Sequence, residues 1–203
     1  STLAKLAMGL IKPASGRVLI QGRDVASLNP RERARRLGVL VQQQEAPMMT
    51  VRELAACGRF PHHGPLSRLD EADARCIDET LSLAGVFDLR DRPLRSLSGG
   101  QRQRARMAMV LAQDTPVVLL DEPTSFMDAA ACFDMMRLVR QVRERGKTVI
   151  AVTHDVNFAT DAADDIFVFK DGAMLKIPSR SAYGRDLNEK ERIKRETEKL
   201  FLE

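Results

Sequence analysis

The sequence predicts an α/β fold whose core is a mainly parallel sheet. Two apolar runs, "VVLL" at 117–120 and "TVIAV" at 148–152, have the continuously apolar character of strands that are covered on both faces. Between them lies a segment with apolar residues at helical spacing, which ends in basic residues and Gly146. A strand, a helix and a second strand in this order form a parallel crossover unit, which is typical of the α/β class.

The rest of the chain adds strands to the sheet and a helical insert in the middle. Short apolar runs at 18–20, 39–41 and 166–169 predict further strands, and "STLAKLAMGL" at the start predicts a helix. After the second of these runs, helical patterns replace strands, and the closing "LNEKERIKRETEKLFLE" predicts a charged helix or tail. The predicted organisation is a partial core at 1–44, a helical subdomain at 45–96, the remaining core at 97–178 and the charged segment at 179–203.

Composition narrows the class of protein. The net charge of +4 is compatible with phosphate binding without requiring nucleic acid, and a single Tyr with no Trp argues against base stacking. The sequence has no apolar run of the ~20 residues that a membrane-spanning helix needs. Its three cysteines are not spaced as metal ligands, which favours reduced thiols in a cytosolic protein. The adjacent His62 and His63 rarely face one metal site in such an arrangement.

Polar side chains follow three of the predicted strands. Gln42 follows "GVLV", Asp121 and Glu122 follow "VVLL", and His154 comes after "TVIAV". Each one has an ordinary explanation, as a strand-end residue, a turn or a structural histidine. Together they predict one site, because ligands of open α/β sheets bind at the carboxyl ends of the strands.

The stretch "SLSGGQRQR" predicts a helix that begins at an anion site. Ser98 and Gln101 have the spacing of a capping box, which structure alone would explain. Gly99 and Gly100 are not explained in this way, since each costs a helix about 1 kcal/mol relative to Ala. They leave bare N–H groups at the positive end of the helix, where a phosphate would bind.

These motifs resemble those of the ATP-binding cassette (ABC) ATPases, the nucleotide-binding subunits of transporters. The resemblance rests on "LSGGQRQR", then "VVLLDEPTSFMD", then His154, in that order, and it extends from residue 1 to about residue 174. It implies a P-loop NTPase-like fold with an inserted helical subdomain. The family has a phosphate-binding loop ending Gly-Lys-Ser-Thr, so "STLAKLAMGL" resembles the helix after this loop, with the glycines, the Lys and the preceding strand missing from residues 1–203.

The resemblance implies ATP and Mg²⁺ as cofactors and gives each motif a role. Ser1, Gln42 and Asp121 would contact Mg²⁺, and Thr2 would lie near the phosphates. Glu122 would be the general base, with His154 on the γ-phosphate and Gln42 near the attacking water. The remaining nucleotide contacts would cross a head-to-tail dimer interface; they come from Ser98, Gly99, Gly100, Gln101 and Asp128.

Finer features resemble one subfamily. Val51 to Leu54, followed by "GRFPHHG", is similar to importers of iron-siderophore complexes, haem and vitamin B12, although "SFMD" at 125–128 departs from the subfamily's usual aromatic-Leu-Asp. The implied partners are a second ATPase subunit, transmembrane permease subunits and, indirectly, an external substrate-binding protein, at the cytoplasmic face of the inner (plasma) membrane. The alternative is a soluble non-transport ABC ATPase of translation or repair.

The resemblance also predicts a property of residues 1–203 taken alone. The phosphate loop supplies the Lys and the backbone N–H groups that hold the triphosphate. Asp121 and Glu122 are acidic and would repel phosphate unless Mg²⁺ lies between them. We therefore expect residues 1–203 to bind and hydrolyse ATP poorly, and we expect a Mg²⁺-dependent ATPase once such a loop precedes residue 1.

Overall fold

The structure is a computed structural model, which describes residues 2–41, 46–64, 68–125, 127–170 and 172–177. The described residues form two compact units, one within 1–152 and the other within 153–203. The first unit contains, in chain order, α1 (Thr2–Ala7), β1 (Leu19–Ile20), β2 (Arg23–Asp24), α2 (Pro30–Ala34), β3 (Leu37–Leu40), α3 (Val51–Cys57), α4 (Glu71–Leu83), α5 (Gly99–Ala112), β4 (Val117–Asp121), α6 (Ala129–Glu144) and β5 (Thr148–Val152). The second contains α7 (Val156–Ala162), β6 (Ile166–Lys170) and β7 (Ala173–Ile177).

A parallel three-stranded sheet forms the centre of the first unit. Its strand order is β3-β4-β5, and both pairs are parallel. Leu40 pairs with Leu120, and Asp121 pairs with Val152, so the carboxyl ends of the three strands lie at one edge. The predicted crossover unit and the α/β fold class are therefore confirmed.

Burial follows the position of each strand in the sheet. The central strand β4 is almost completely covered and has a neighbouring strand on either side. Ile150 on β5 is 42% exposed even though the strand is continuously apolar. A cluster around Leu119 of β4 includes Ala4, Ile20, Val25 and Leu37, which packs α1 and the β1–β2 hairpin against the sheet.

Two antiparallel hairpins contain the strands predicted at 18–20 and 166–169, which are β1 and β6, and add two strands that the sequence analysis missed, β2 and β7. β1 pairs with β2 across Gln21 and Gly22, which both have positive φ (50° and 74°), as tight hairpin turns require. β6 pairs with β7 in the second unit, next to Gly172 at φ 77°. The predicted strand at 39–41 lies instead at Leu37–Leu40, and the charged segment at 179–203 lies outside the described residues.

Helices α3 and α4 come between β3 and β4 and pack on α5, as predicted for a helical insert. Each begins with a capping box, formed by Thr50 and Glu53 in α3 and by Asp70 and Asp73 in α4. Helix α5 is buried on most of its surface, because it contacts both of these helices, β3 and α6. The exact domain boundaries at 44, 96 and 178 stay predictions. No helix of the described segments has the length and apolar character needed to cross a membrane.

Candidate active site at the carboxyl end of the sheet

Asp121 is the last residue of the central strand. It is 9% exposed and lies at the carboxyl edge of the sheet, opposite Val152 of β5. Its position follows from the sequence, because the apolar run before it fills β4 and leaves the first polar residue at the strand end. The carboxyl ends of parallel strands are where ligands of open α/β sheets bind.

Glu122 has an unusual backbone conformation. Its φ is +54°, in the left-handed region, which costs a non-glycine residue about 1–2 kcal/mol. Its N–H donates to Val152 O at 2.8 Å, and its carbonyl accepts from the N–H of Ser125 at 3.2 Å. The Ser125 hydroxyl lies 3.5 Å from Glu122 Oε2. Strain of this kind at the end of a central strand is characteristic of functional residues.

The segment after Glu122 leads directly into α6. Pro123 and Thr124 are buried, and the N–H of Met127 donates to Thr124 O at 3.2 Å. Asp128 then caps α6 by accepting from the N–H of Ala131 at 2.8 Å. Asp128 is therefore exposed and held by a local bond at the start of α6.

The turn at residues 98–101, which we name the signature turn, forms as a capped helix start. Ser98 Oγ accepts from the N–H of Gln101 at 3.2 Å, and Gln101 Oε1 accepts from the N–H of Ser98 at 3.0 Å. The first-turn N–H groups of Gly99 and Gly100 point out of the helix end. A Cβ on Gly100 would lie 2.9 Å from the Cβ of Ala131, so the starts of α5 and α6 are side by side. The capping box and the predicted anion site use different groups of the same turn.

Contacts along α5 connect the signature turn to the segment after Glu122. The buried Gln103 places its Nε2 3.5 Å from Pro123 O, and Arg104 forms an ion pair with Asp134 of α6. The structure thus brings together the signature turn, the segment after β4 and the start of α6 in one chain.

Of the other predicted site residues, the structure describes Thr2 and His154, whereas Ser1 and Gln42 lie outside the described residues. Thr2 begins α1 and is exposed at the start of that helix. His154 is exposed, follows β5 by two residues and belongs to the second unit. Its proximity to Glu122 stays a prediction, as do the catalytic and metal roles of Ser1 and Gln42.

The two adjacent histidines bind separate partners. His62 Nε2 lies 2.9 Å from Gln113 O, whereas His63 Nε2 lies 2.7 Å from Asp73 Oδ2. The described part of the chain contains no group of three or more His, Cys, Asp or Glu side chains arranged to hold a metal ion. A metal at Asp121 would therefore need ligands besides these side chains.

Sequence reasoning missed a buried ionic cluster around Asp73. This carboxylate also accepts from Arg59 Nε at 2.8 Å and from the N–H of Asp70. Burial opposes its ionisation, but the bonds from Asp70, Arg59 and His63 together keep the pKa of Asp73 well below its ordinary value. The signal available in the sequence was the capping spacing of Asp70 and Asp73, which identifies the helix start and says nothing of Arg59 or His63.

A family model and similar known proteins indicate the same family for this chain. The family model described as ABC transporter matches residues 1–125. The achromobactin transport ATP-binding protein CbrD of Dickeya dadantii is 40% identical over 187 residues, which cover 91% of this chain and 66% of that protein. The ferric enterobactin transport ATP-binding protein FepC of Escherichia coli is 38% identical over 177 residues, which cover 86% of this chain and 65% of that protein. The chain thus spans about two thirds of the length of these relatives.

Solved structures agree with this assignment. A dimeric ATP-binding cassette in a post-hydrolysis state, bound to ADP and Pi, superimposes with a TM-score of 0.73 at 30% identity. The match covers 86% of this chain and 79% of that one.

Proposed function

Since the chain belongs to the ABC transporter family, we propose that it forms part of an ATP-hydrolysing, nucleotide-binding subunit that energises an importer. The observation that carries the proposal is the geometry of Asp121 and Glu122. Two successive carboxylates stand at the carboxyl end of the central strand, and the second is held at φ +54° by bonds on either side. Such an arrangement serves phosphoryl transfer, which needs positioned charges more than covalent chemistry.

Glu122 is the proposed general base. The bond from its N–H to Val152 O fixes its backbone to β5, so the carboxylate has a defined direction from the sheet edge. The Ser125 hydroxyl lies 3.5 Å from one carboxylate oxygen, and the carboxylate is proposed to orient the attacking water. Gln42 and His154 are proposed to assist, Gln42 near the water and His154 on the γ-phosphate.

Asp121 fits a magnesium site shared with the nucleotide. Mg²⁺ typically takes one or two protein carboxylates and completes its shell with phosphate oxygens and water. One buried carboxylate at the edge, with no cluster of three acidic or histidine side chains among the described residues, matches that pattern. When bound, the metal would neutralise phosphate charge, with Ser1 and Gln42 as the other proposed contacts.

The signature turn is proposed to act on the nucleotide of a second subunit. Ser98, Gly99, Gly100 and Gln101 offer a hydroxyl, two bare N–H groups and an amide at a helix N-terminus, and Asp128 lies at the neighbouring start of α6. The dimeric state of a related cassette bound to ADP and Pi supports a dimer, which we propose to be a head-to-tail pair that shares two ATP molecules. Thr2, at the start of α1, would contact the phosphates of its own subunit.

The proposed cargo is an iron-siderophore complex, with haem or cobalamin as the other candidates. The names of the curated relatives refer to achromobactin and ferric enterobactin transport, which supports the siderophore class and disfavours the alternative of a soluble translation or repair factor. Transmembrane permease subunits, and through them an external substrate-binding protein, are the proposed partners. The subunit would then lie at the cytoplasmic face of the inner membrane.

The test joins a phosphate-binding loop and its strand ahead of residue 1 and measures Mg²⁺-ATP binding, hydrolysis and mass. We expect Mg²⁺-dependent hydrolysis, and we expect a stable ATP-bound dimer in the Glu122→Gln variant, because the amide keeps the shape and removes the base. A protein that lacks the loop is expected to bind ATP weakly, because the loop supplies the Lys and the N–H groups that hold the triphosphate. ATP binding with neither hydrolysis nor dimerisation would contradict the proposal.

Cargo is tested separately in cells. The same protein should restore growth on ferric siderophore to a strain lacking the ATPase of its own siderophore importer, provided that the cognate permease is supplied. Restoration with haem or cobalamin alone would reassign the cargo. Failure with all three, in a protein that hydrolyses ATP and dimerises, would contradict the import proposal.

A further inference from the structure

The carboxyl end of α5 is held by a buried side chain from outside the helix. Arg59, which follows α3 by two residues, donates from Nη1 to Ala112 O at 2.8 Å and from Nε to Asp73 Oδ1 at 2.8 Å. The side chains of Arg59 and Asp73 are only 14% and 3% exposed. Ala112 is the last residue of α5, so its carbonyl has no partner within the helix. Arg59 therefore binds the end of α5 and a carboxylate on α4 with one guanidinium.

The same end of α5 is tied to the sheet. Gln113 donates from Nε2 to Leu37 O at 3.1 Å and also to Ala34 O, while its own carbonyl accepts from His62 Nε2. These bonds join the helix end to the last residue of α2 and the first residue of β3. The loop after α3 is held against α2 as well, since Arg31 and Arg35 both donate to Pro61 O, at 2.9 and 2.7 Å. The carboxyl end of α5 is thus a junction between the helical insert and the core.

Helix α5 connects this junction to the signature turn. Its 14 residues correspond to about 21 Å of helix. Its interior is tightly packed, with Ala105, Met107 and Ala108 fully buried, so the helix moves as one body. A change of angle at Ala112 is consequently carried to Ser98 and Gly99 at the other end.

We propose that Arg59 is a positioning residue for the signature turn, because it sets the direction of α5 through the Ala112 carbonyl and Asp73. The inference rests on the proposed function, in which the turn binds the nucleotide of the partner subunit. Arg59 lies at the opposite end of α5 from the signature turn, so it would act on the turn through the helix. Its planar fork provides two donors in fixed directions, which a lysine ammonium on a flexible stem does not reproduce.

The test compares Glu122→Gln with Glu122→Gln/Arg59→Lys, both with the phosphate loop joined ahead of residue 1. Lysine keeps the charge beside Asp73. A second variant, Glu122→Gln/Arg59→Gln, is used if the Arg59→Lys protein does not fold. The control is Arg75→Lys in the same background, because Arg75 forms only a solvent-exposed pair with Glu71 at 3.8 Å, with side chains 68% and 96% exposed. Each protein is assayed for unfolding by urea, for Mg²⁺-ATP binding at a concentration where it is monomeric, and for ATP-dependent dimerisation.

We expect the Arg59→Lys change to weaken ATP-dependent dimerisation about tenfold or more, the size of losing one charge-assisted hydrogen bond, while monomer affinity for Mg²⁺-ATP stays within twofold. Arg75→Lys should leave all three measurements unchanged. Lower resistance to urea with unchanged dimerisation would overturn the proposal, because Arg59 would then act on folding alone. Failure of Glu122→Gln itself to dimerise would instead contradict the proposed function, so the two failures are distinguishable.

Discussion

Gly58 lies where the end of α3 crosses the last turn of α5, and we predict that replacing it with Ala destabilises the protein. Its φ of −61° and ψ of −22° are helical, and its N–H donates to Ala55 O at 3.0 Å. Any residue adopts this conformation, so glycine is not required by the backbone. What it provides is room for the close approach of the two helices.

The magnitude follows from what a Cβ would meet. It would overlap the carbonyl oxygen of Met109, and it would lie 3.0 Å from the backbone nitrogen of Gln113 and 3.1 Å from the Cβ of Ala112. Two of these three neighbours are backbone atoms, one in α5 and one in the residue that follows it, and backbone atoms cannot rotate away as a side chain would. Overpacking of this kind costs about 1–3 kcal/mol or more, and the upper end applies when backbone must move. Against it stands a gain of about 0.4–1 kcal/mol from the less flexible unfolded chain.

We therefore expect Gly58→Ala to lower the free energy of unfolding by about 2 kcal/mol, measured by urea denaturation followed by circular dichroism. Gly85→Ala is the comparison, because Gly85 has φ +64° and nothing within 4 Å of a Cβ. It should lose about 1 kcal/mol from backbone strain alone. A Gly58→Ala protein as stable as the wild type, or more stable, would refute the packing of α3 on α5.

Three further variants test other bonds of the fold, each measured by urea denaturation. Thr115→Val should lower the free energy of unfolding by about 1–3 kcal/mol, because the buried hydroxyl accepts from the Gly38 N–H at 3.0 Å and donates to Val117 O at 2.8 Å. An unchanged midpoint of urea denaturation would mean that these bonds are absent. Asp73→Asn should lower the free energy of unfolding by roughly 3–5 kcal/mol at neutral pH. The loss should become smaller as the pH falls below 3.8, the ordinary pKa of an Asp carboxyl. The reason is that the folded carboxylate has a lowered pKa and contributes stability only while it is ionised. A difference that stayed constant down to pH 3 would contradict this assignment. Asp128→Ala should lose about 1 kcal/mol through the cap of α6, and a neutral effect would remove Asp128 from that role.

The parallel core was predictable from local pattern. Strands β4 and β5 are continuously apolar because both faces of a parallel strand are covered, and the polar Asp121 marks where β4 ends. The capping spacing of Ser98 and Gln101 likewise fixed the start of α5 within the sequence itself. These features depend on residues that are close in the chain or on burial that is uniform along an element.

Short elements were missed because they lack a period. Helix α2 has five residues, none of them buried, so it has no apolar spacing that would predict a helix. Its signal was Asn29 with Glu32 and Pro30, a capping box with proline at the first position. Strand β2, with the sequence Arg-Asp, forms only because the turn at Gln21 and Gly22 pairs it with β1.

The remaining features depend on contacts between distant segments. Arg59 meets Ala112, which lies 53 positions further along the chain, and no local spacing encodes that bond. The left-handed backbone of Glu122 also could not be predicted from the sequence, because glutamate does not favour φ +54°. The bond to Val152 helps hold it in that conformation. Such strain is a property of the assembled sheet edge.

Single-turnover phosphate release tests most directly whether Glu122 is the general base of an ATPase. Wild-type and Glu122→Gln proteins, each with the phosphate loop joined ahead of residue 1, are mixed in excess over Mg²⁺-ATP after their affinities for the nucleotide have been measured. We predict that the variant binds ATP as tightly as the wild type and releases phosphate about 10²–10⁴-fold more slowly. Equal rates of phosphate release in the two proteins would contradict the role of Glu122 and the mechanism built on it.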